Sequence, residues 1–370
     1  MLVGALEGIG SMREVLRVAA LRLDLRRFLG YGLGERLPVH ATVSLNQTRR
    51  FLDGRIFEQL FARSVALCGE HELIEGTHLS IDGFHVEADA ALASLRASLH
   101  AAAAPAEPEP DAPPPAPTTD PGQLSLAPPS ATKAPPKGRK SSNATTVSRT
   151  DPDARLRHKP GQRPHLQHRG QVAVDPRHRC VVACLGERAS GHEGDAIAPL
   201  LDRARFLVPG LCSIGADKGF AAARVYADLE RRGISAFIPP QPRMLPRGGI
   251  AATDGHRLAL AARGRCKTRE GIWAHARRMA DSEGVISEAK LEGTLARARC
   301  RGTPLFHIQV LVDCAAINCK RLVRHAAAAT GVAAEPTAAA GLAVPSAAGS
   351  PLSLNGEPAV PVWSFSVCLN

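Results

Sequence analysis

An α/β protein, with a mixed sheet flanked by helices behind an all-α N-terminal segment, is what this sequence predicts. Three observations carry the prediction. The hydrophobic period is helical over residues 1–76 and changes to strand-like alternation at Thr77. From Gln171 onward, short β-rich runs alternate with helical stretches, the order of a layered α/β sheet. Residues 101–149 and 326–370 are Pro/Ala-rich with little aliphatic bulk, and read as a basic disordered linker and a low-complexity tail. The 370 residues therefore divide into a helical segment, 1–76, and an α/β domain made of 77–100 and 150–325.

Taken in order, Ser11 and Glu14 fit a capping box, S-M-R-E, ahead of Val15, Val18 and Ala19. The stripe Phe57, Leu60, Phe61, Ser64, Val65 and Cys68 keeps a helical period. Between them HATVSLNQTRRF, His40 to Phe51, is short and polar. Its Arg49 and Arg50 would suit contact with DNA, but it reads more simply as a solvated helix. The first strand is THLSIDGFHVEA, Thr77 to Ala88. Leu79 and Ile81 take one parity and Phe84 and Val86 the other, a phase slip at Gly83 such as a bulge or break produces. Twelve of the 29 prolines fall between Pro105 and Pro136, and residues 131–170 then carry ten Lys or Arg against Asp151 and Asp153, a balance suited to phosphate. QVAVDPRHRCVVACL forms a hairpin turning at Asp175-Pro176. A helix follows around Leu200 and Leu201, then the strand LCSIGADKGF, a helix through Val225 and Leu229, and the strand SAFIPP, Ser235 to Pro240.

Composition narrows the function. Lys and Arg number 46 against 35 Asp and Glu, a net charge of +11, which favours a polyanionic partner, nucleic acid before an anionic membrane. Nine cysteines at irregular spacing read as free thiols in a reducing cytoplasm. Glu7 and Arg13 break the first apolar run, and Glu335, Pro336 and Pro345 break the Ala-rich tail, so a soluble intracellular protein is expected.

Three carboxylates suit chemistry. Asp82 sits inside a strand, where a carboxylate has little structural use, and Asp217 sits at a strand end, where α/β sheets gather ligands. In SEGVISEAKL, Ser282 to Leu291, a helical advance of about 100° per residue puts Glu283, Ser287 and Lys290 on one edge. Val285, Ile286 and Ala289 face a core, and Glu288 reads as a solvated helix charge. Three hard oxygen donors in one cleft would suit Mg²⁺ or Mn²⁺. Spacing alone does not single them out, since many acidic triples can be drawn through 35 acidic residues. By residue type alone Asp82 serves equally well as the cap of a turn, and Asp217 as the start of the next helix. His165, His168, Cys180 and Cys184 have a zinc-like spacing, but the thiols read as buried strand residues, Cys314 and Cys319 as helix core, and Trp273 as packing.

A family resemblance raises this triple above the others. LSIDGFHVEADA, SNATTVSRTDPDARL, GADKGFAAARVYADLERRGISAFIP and SEGVISEAKLEGTLARARCRGTPLFHIQVLVDCAAINCKRL resemble, in order, bacterial insertion-sequence transposases of the DDE class. MLVGALEGIGSMREVLR…DLRRFLG resembles the helical N-terminal domain of that family, and together these cover most of residues 1–325 outside the linker. The resemblance implies an RNase H-like core that uses two Mg²⁺ or Mn²⁺ ions to cleave DNA at terminal inverted repeats and join it to target DNA. It puts the metal-holding, catalytic carboxylates on Asp82, Asp217 and Glu283, with Lys290 completing the E-x6-K signature on a DNA phosphate. Arg297, Arg299 and Arg301 extend the DNA-binding path, and Arg277 and Arg278 are approximate counterparts of an upstream arginine, Arg278 being taken as a DNA contact. A homodimer, and action in the bacterial cytoplasm at the nucleoid, are further implications. Phe84 departs from the family, which usually has a small hydroxyl residue there. The chain also starts well inside the helical domain, which reads as a truncated copy. The rival readings are a decayed DNA-binding remnant and a metal-dependent nuclease on the same core.

Overall fold

Strand β1 (His78–Glu87) is the centre of the molecule, and the burial of its consecutive residues His78 to Ile81 shows that helices or loops cover both faces of its sheet. The computed structural model describes residues 1–97, 143, 146–158, 161, 163–246 and 253–330. Most of the expected linker, and the tail beyond Thr330, lie outside the described residues.

Five helices precede β1: α1 (Leu2–Leu6), α2 (Met12–Leu21), α3 (Leu23–Phe28), α4 (His40–Arg49) and α5 (Arg55–Glu70). The apolar stripe of α5 faces the main core as its period predicts, and α4 buries nothing, as a solvated helix should. Ser11 stands at the N-cap of α2 but makes no capping hydrogen bond. Glu14 instead accepts from Arg17 Nε at 2.8 Å one turn along, so the capping box does not form.

Strands β2 (Leu95–Ala97) and β3 (Thr146–Ser148) pair antiparallel, so residues on either side of the stretch 98–142 lie side by side. Thr146–Ser148 thus forms a strand within the range expected to be linker. Next come β4 (Arg155–Arg157), β5 (His165–Val174) and β6 (Val181–Arg188), the last two being the expected hairpin around Asp175-Pro176. Helix α6 (Ile197–Ala204), strand β7 (Ser213–Gly215), helix α7 (Ala223–Arg231) and strand β8 (Ser235–Phe237) follow.

In the sheet β5 pairs antiparallel with β1, β7 runs parallel to β1, and β8 parallel to β7; β4 and β6 share the other edge of β5. A mixed sheet flanked by helices is the fold class that the sequence predicted. The β1–β5 register runs unbroken from Ser80↔Val174 to Glu87↔Gln167, so the expected bulge at Gly83 is absent. The parity change has another cause. Because both faces are covered, Leu79 and Ile81 can pack on one side, and Phe84 and Val86 on the other, without any slip.

Helices α8 (Asp254–Arg265) and α9 (Arg269–Arg278) are followed by a π-helical turn, Met279–Glu283, then by α10 (Gly284–Leu291) and α11 (Thr303–Thr330). Helix α11 packs against β6 and α5. It comes so close to β6 that a Cβ on Gly186 would lie 2.7 Å from the His307 Cα. Asn318 on α11 fastens the start of β6, accepting from Val181 N–H at 2.8 Å and donating to Val181 C=O at 2.9 Å. The helix continues past His325 to Thr330, so the expected tail does not begin at residue 326; alanines favour helix and this run contains no proline. Among the described residues no helix is long and apolar enough to cross a membrane.

Candidate active site

In the β1–β7 pair, Ser80 lies opposite Gly215, and two residues further along each chain come Asp82 and Asp217. Strand β1 continues beyond this point on its pairing with β5, whereas β7 ends and the chain turns. Asp217 accepts a hydrogen bond from Gly219 N–H at 2.7 Å and caps a single 3-10 turn, Lys218–Phe220. The carboxylate therefore does begin the next helical turn while lying beside Asp82.

Asp82 accepts from Gly83 N–H at 2.8 Å and from Arg278 Nη1 at 2.7 Å. The same Arg278 nitrogen lies 3.6 Å from Glu283. Side-chain exposure is 15% for Asp82, 10% for Arg278 and 53% for Glu283, so the pair is sheltered and the glutamate opens to solvent. Burial pushes the Asp82 carboxyl up to about 6; Arg278 and the Gly83 N–H oppose this, and the charges of Asp217 and Glu283 add to it. Asp82 thus senses the charges of both other carboxylates.

The π-helical turn puts Arg278 here. In a regular α-helix, residues five apart are about 140° apart around the axis. A turn closed by i→i+5 hydrogen bonds brings them to the same side, so Arg278 and Glu283 face each other. The approximate arginine of the sequence thereby reaches the carboxylates, and its neighbour Arg277 instead pairs with Asp281 at 3.0 Å.

A cleft of about 490 Å³ opens beside Asp82. Glu283, Ser287 and Lys290, the predicted edge, line one wall together with the half-buried Ile286. Arg157, Arg163 and His165 line it too, from the basic stretch that had suggested phosphate as a whole without singling them out. Phe84 also lines the cleft; its ring lies over Gly170, where a Cβ would come within 2.2 Å of it, and 5.8 Å from the Lys290 ammonium. The hydroxyl position of the family is thus an apolar wall here.

Other sequence candidates lie elsewhere. Arg297 and Arg301 approach Asp89 at 3.8 and 3.3 Å, and Arg299 donates its N–H to Gln309 at 2.9 Å; none of the three lines the cleft. Glu288 is not a solvated charge. It forms a two-pronged pair with Arg321 of α11, with Nη1 3.0 Å from Oε1. Helix α10 therefore turns Glu283 toward the cleft and Glu288 toward α11. His168 pairs with Asp151 at 2.8 Å, and Cys180 packs with Cys68 and Leu73, so the zinc-like spacing does not converge. Trp273 is 46% exposed and packs edge-on against His78 at 4.9 Å.

Residues 141–319 match the family described as the transposase DDE domain. This segment is a transposase DDE domain. The match takes in Asp217, Glu283 and Lys290, and starts after β1, so that Asp82 lies outside it. The DDE domain has no match among curated proteins, nor has the rest of the chain. Among solved structures, a cryo-EM structure of a piggyBac transposase synaptic complex with hairpin DNA is similar over 48% of this chain and 45% of that one. Its TM-score is 0.31 and its sequence identity 9%, and this chain spans less than half of that protein's length.

DDE transposases generally use divalent metal ions. Among the described residues no three His, Cys, Asp or Glu side chains stand close enough, as they are placed, to hold one. The donor chemistry nevertheless fits. Asp82, Asp217 and Glu283 offer hard carboxylate oxygens, and two of them already share a cation in the Arg278 guanidinium.

Proposed function

We propose that this chain is a metal-dependent DNA transposase, which cleaves the ends of an insertion element and joins them to target DNA. The observation that supports this reading most is the carboxylate group around Arg278. Asp82 is raised by burial and by the charges of Asp217 and Glu283, and is tied to a guanidinium that also approaches Glu283. Such crowding of negative charge is costly unless a cation answers it. In this reading Asp82, Asp217 and Glu283 hold Mg²⁺ or Mn²⁺. Two such ions would activate the attacking oxygen and stabilise the leaving one in phosphoryl transfer.

The remaining residues position the DNA. Lys290 supplies a cation to a phosphate entering the cleft, and Arg157 and Arg163 meet the backbone from the other side. Phe84 gives the cleft a dry wall, where each charge–charge contact is stronger than in water. Arg278 neutralises Asp82 in the metal-free chain and can turn to a phosphate oxygen once the carboxylates have another cation. Arg297, Arg299 and Arg301 then serve a stretch of duplex beyond the cleft, and residues 1–76 a contact with the element's terminal repeats, in the bacterial cytoplasm and in a homodimer.

The reading is tested by incubating the protein with labelled duplexes carrying the DNA that borders its gene, with and without Mg²⁺. Nicked and joined products that disappear in Asp217→Asn and Glu283→Gln are expected. Cleavage without joining points to a nuclease, and binding without any metal-dependent product to a decayed DNA-binding remnant.

A further inference from the structure

A second cleft, about 570 Å³, lies between the β5–β6 turn, the π-helical turn and the end of α11. Five arginines line it: Arg177, Arg179, Arg277, Arg321 and Arg324. Asp281 is the one carboxylate in the lining, and it is taken by Arg277 at 3.0 Å. Arg321 is held by Glu288 from behind. Among the described residues, Arg177, Arg179 and Arg324 have no carboxylate within ion-pair distance. Arg179 also acts on the Asp281 charge, so it is the guanidinium charges of Arg177 and Arg324, from two separate segments, that face one space unanswered. Like charges so placed repel, and a polyanion relieves that repulsion.

The cleft is also built to keep them there. Asp175 is buried beneath the turn and accepts from the N–H groups of Glu75, Gly76 and Arg177 at 3.1, 2.8 and 2.9 Å. Its own N–H donates to Cys180 C=O at 2.9 Å, and Arg277 donates to the Pro176 carbonyl. Arg179 has φ +57, a left-handed conformation that non-glycine residues seldom adopt and that a fixed turn enforces. The turn that carries Arg177 and Arg179 is thus fixed before any ligand arrives, which lowers the entropy lost on binding.

We propose that this arginine cleft binds phosphates of a DNA backbone, as a contact site separate from the Asp82 cleft. Guanidinium forks match phosphate oxygens in pairs. The lining has no Phe, Tyr or Trp, and its two imidazoles, His178 and His325, meet edge-on at 6.1 Å, so the arginines suit backbone phosphates more than bases. The two clefts share the π-helical turn, Ala280 and Asp281 serving one and Glu283 the other. The choice of DNA over another polyanion rests on the proposed function; the cleft's affinity for phosphate does not.

The test is fluorescence anisotropy of a labelled duplex of arbitrary sequence, without divalent ions, from about 50 to 200 mM salt. Arg177→Glu with Arg324→Glu is expected to weaken binding at least tenfold and to flatten the dependence of log K on log salt by about two units. Arg177→Lys with Arg324→Lys keeps the charge and most of the affinity. Both arginines are exposed, and thermal unfolding at the parent temperature confirms that the variants fold. Unchanged affinity and salt slope in the charge-reversed variant overturn the proposal. So does competition by a polyglutamate peptide as strong as that by DNA, or an arginine-dependent site for inorganic phosphate that duplex does not compete for. If the parent cuts no DNA yet the charge reversal still abolishes duplex binding, the function proposed above fails and this site stands.

Discussion

Replacing Glu288 by alanine strips Arg321 of the carboxylate that faces both of its terminal nitrogens. Side-chain exposure is 6% for Arg321 and 13% for Glu288, so the orphaned guanidinium cannot simply rehydrate, and its Nε has no hydrogen-bond partner among the described residues. Removing one partner of a buried pair costs about 3–5 kcal/mol. Arg321 borders the arginine cleft, where water has some access, so the lower end applies and the expected loss is about 3 kcal/mol. Urea denaturation followed by circular dichroism reads it as a lower midpoint at an unchanged m-value. Adding Arg321→Ala to Glu288→Ala should recover part of the loss, because no charge is then left unpaired. Glu283→Ala, at a position 53% exposed, should stay within about 0.5 kcal/mol of the parent. A loss below about 1 kcal/mol for Glu288→Ala, or a larger loss for Glu283→Ala, would refute the division of labour between the two glutamates.

Asp313 predicts a pH effect. It is buried on α11 and accepts from Thr294 N–H and Oγ1, both at 2.6 Å, and burial pushes its carboxyl up to about 6. The folded value lies above the unfolded one, so this contribution is fully present below about pH 4 and is lost as pH rises through about 6. Two pH units correspond to roughly 3 kcal/mol. Asp313→Asn should flatten the fall of unfolding free energy over that window; a slope equal to the parent's would contradict it. Gly170→Ala should cost about 1–3 kcal/mol, since its Cβ would meet the Phe84 ring at 2.2 Å. In a Phe84→Ala background the same change should cost clearly less by urea denaturation, and equal cost would show that the ring is not the obstacle.

Much of the sheet is legible in the sequence because its signals are local. The β5–β6 hairpin follows from two Val-rich runs around Asp175-Pro176, and the α5 stripe from its period. The edge of Glu283, Ser287 and Lys290 follows from helical geometry alone. Other features depend on partners distant in the chain. Glu288 looks solvated until α11, 33 residues on, brings Arg321 against it. The slip at Gly83 is an illusion of parity that disappears when both faces of β1 are covered. The π-helical turn has no clear local signal, yet it decides that Arg278, and not Arg277, meets Asp82. Arg157 and Arg163 were visible only as members of a basic run, since their position depends on how β4 and β5 wall the cleft.

The central claim is that Asp82, Asp217 and Glu283 act together as one metal-dependent centre on DNA. Nicking of a supercoiled plasmid carrying the DNA that borders the gene, measured with and without Mg²⁺ for the parent and for Asp82→Asn, tests it most directly. The account predicts Mg²⁺-dependent nicking by the parent and none by the variant, at equal duplex affinity. Nicking by Asp82→Asn at the parent rate would contradict it.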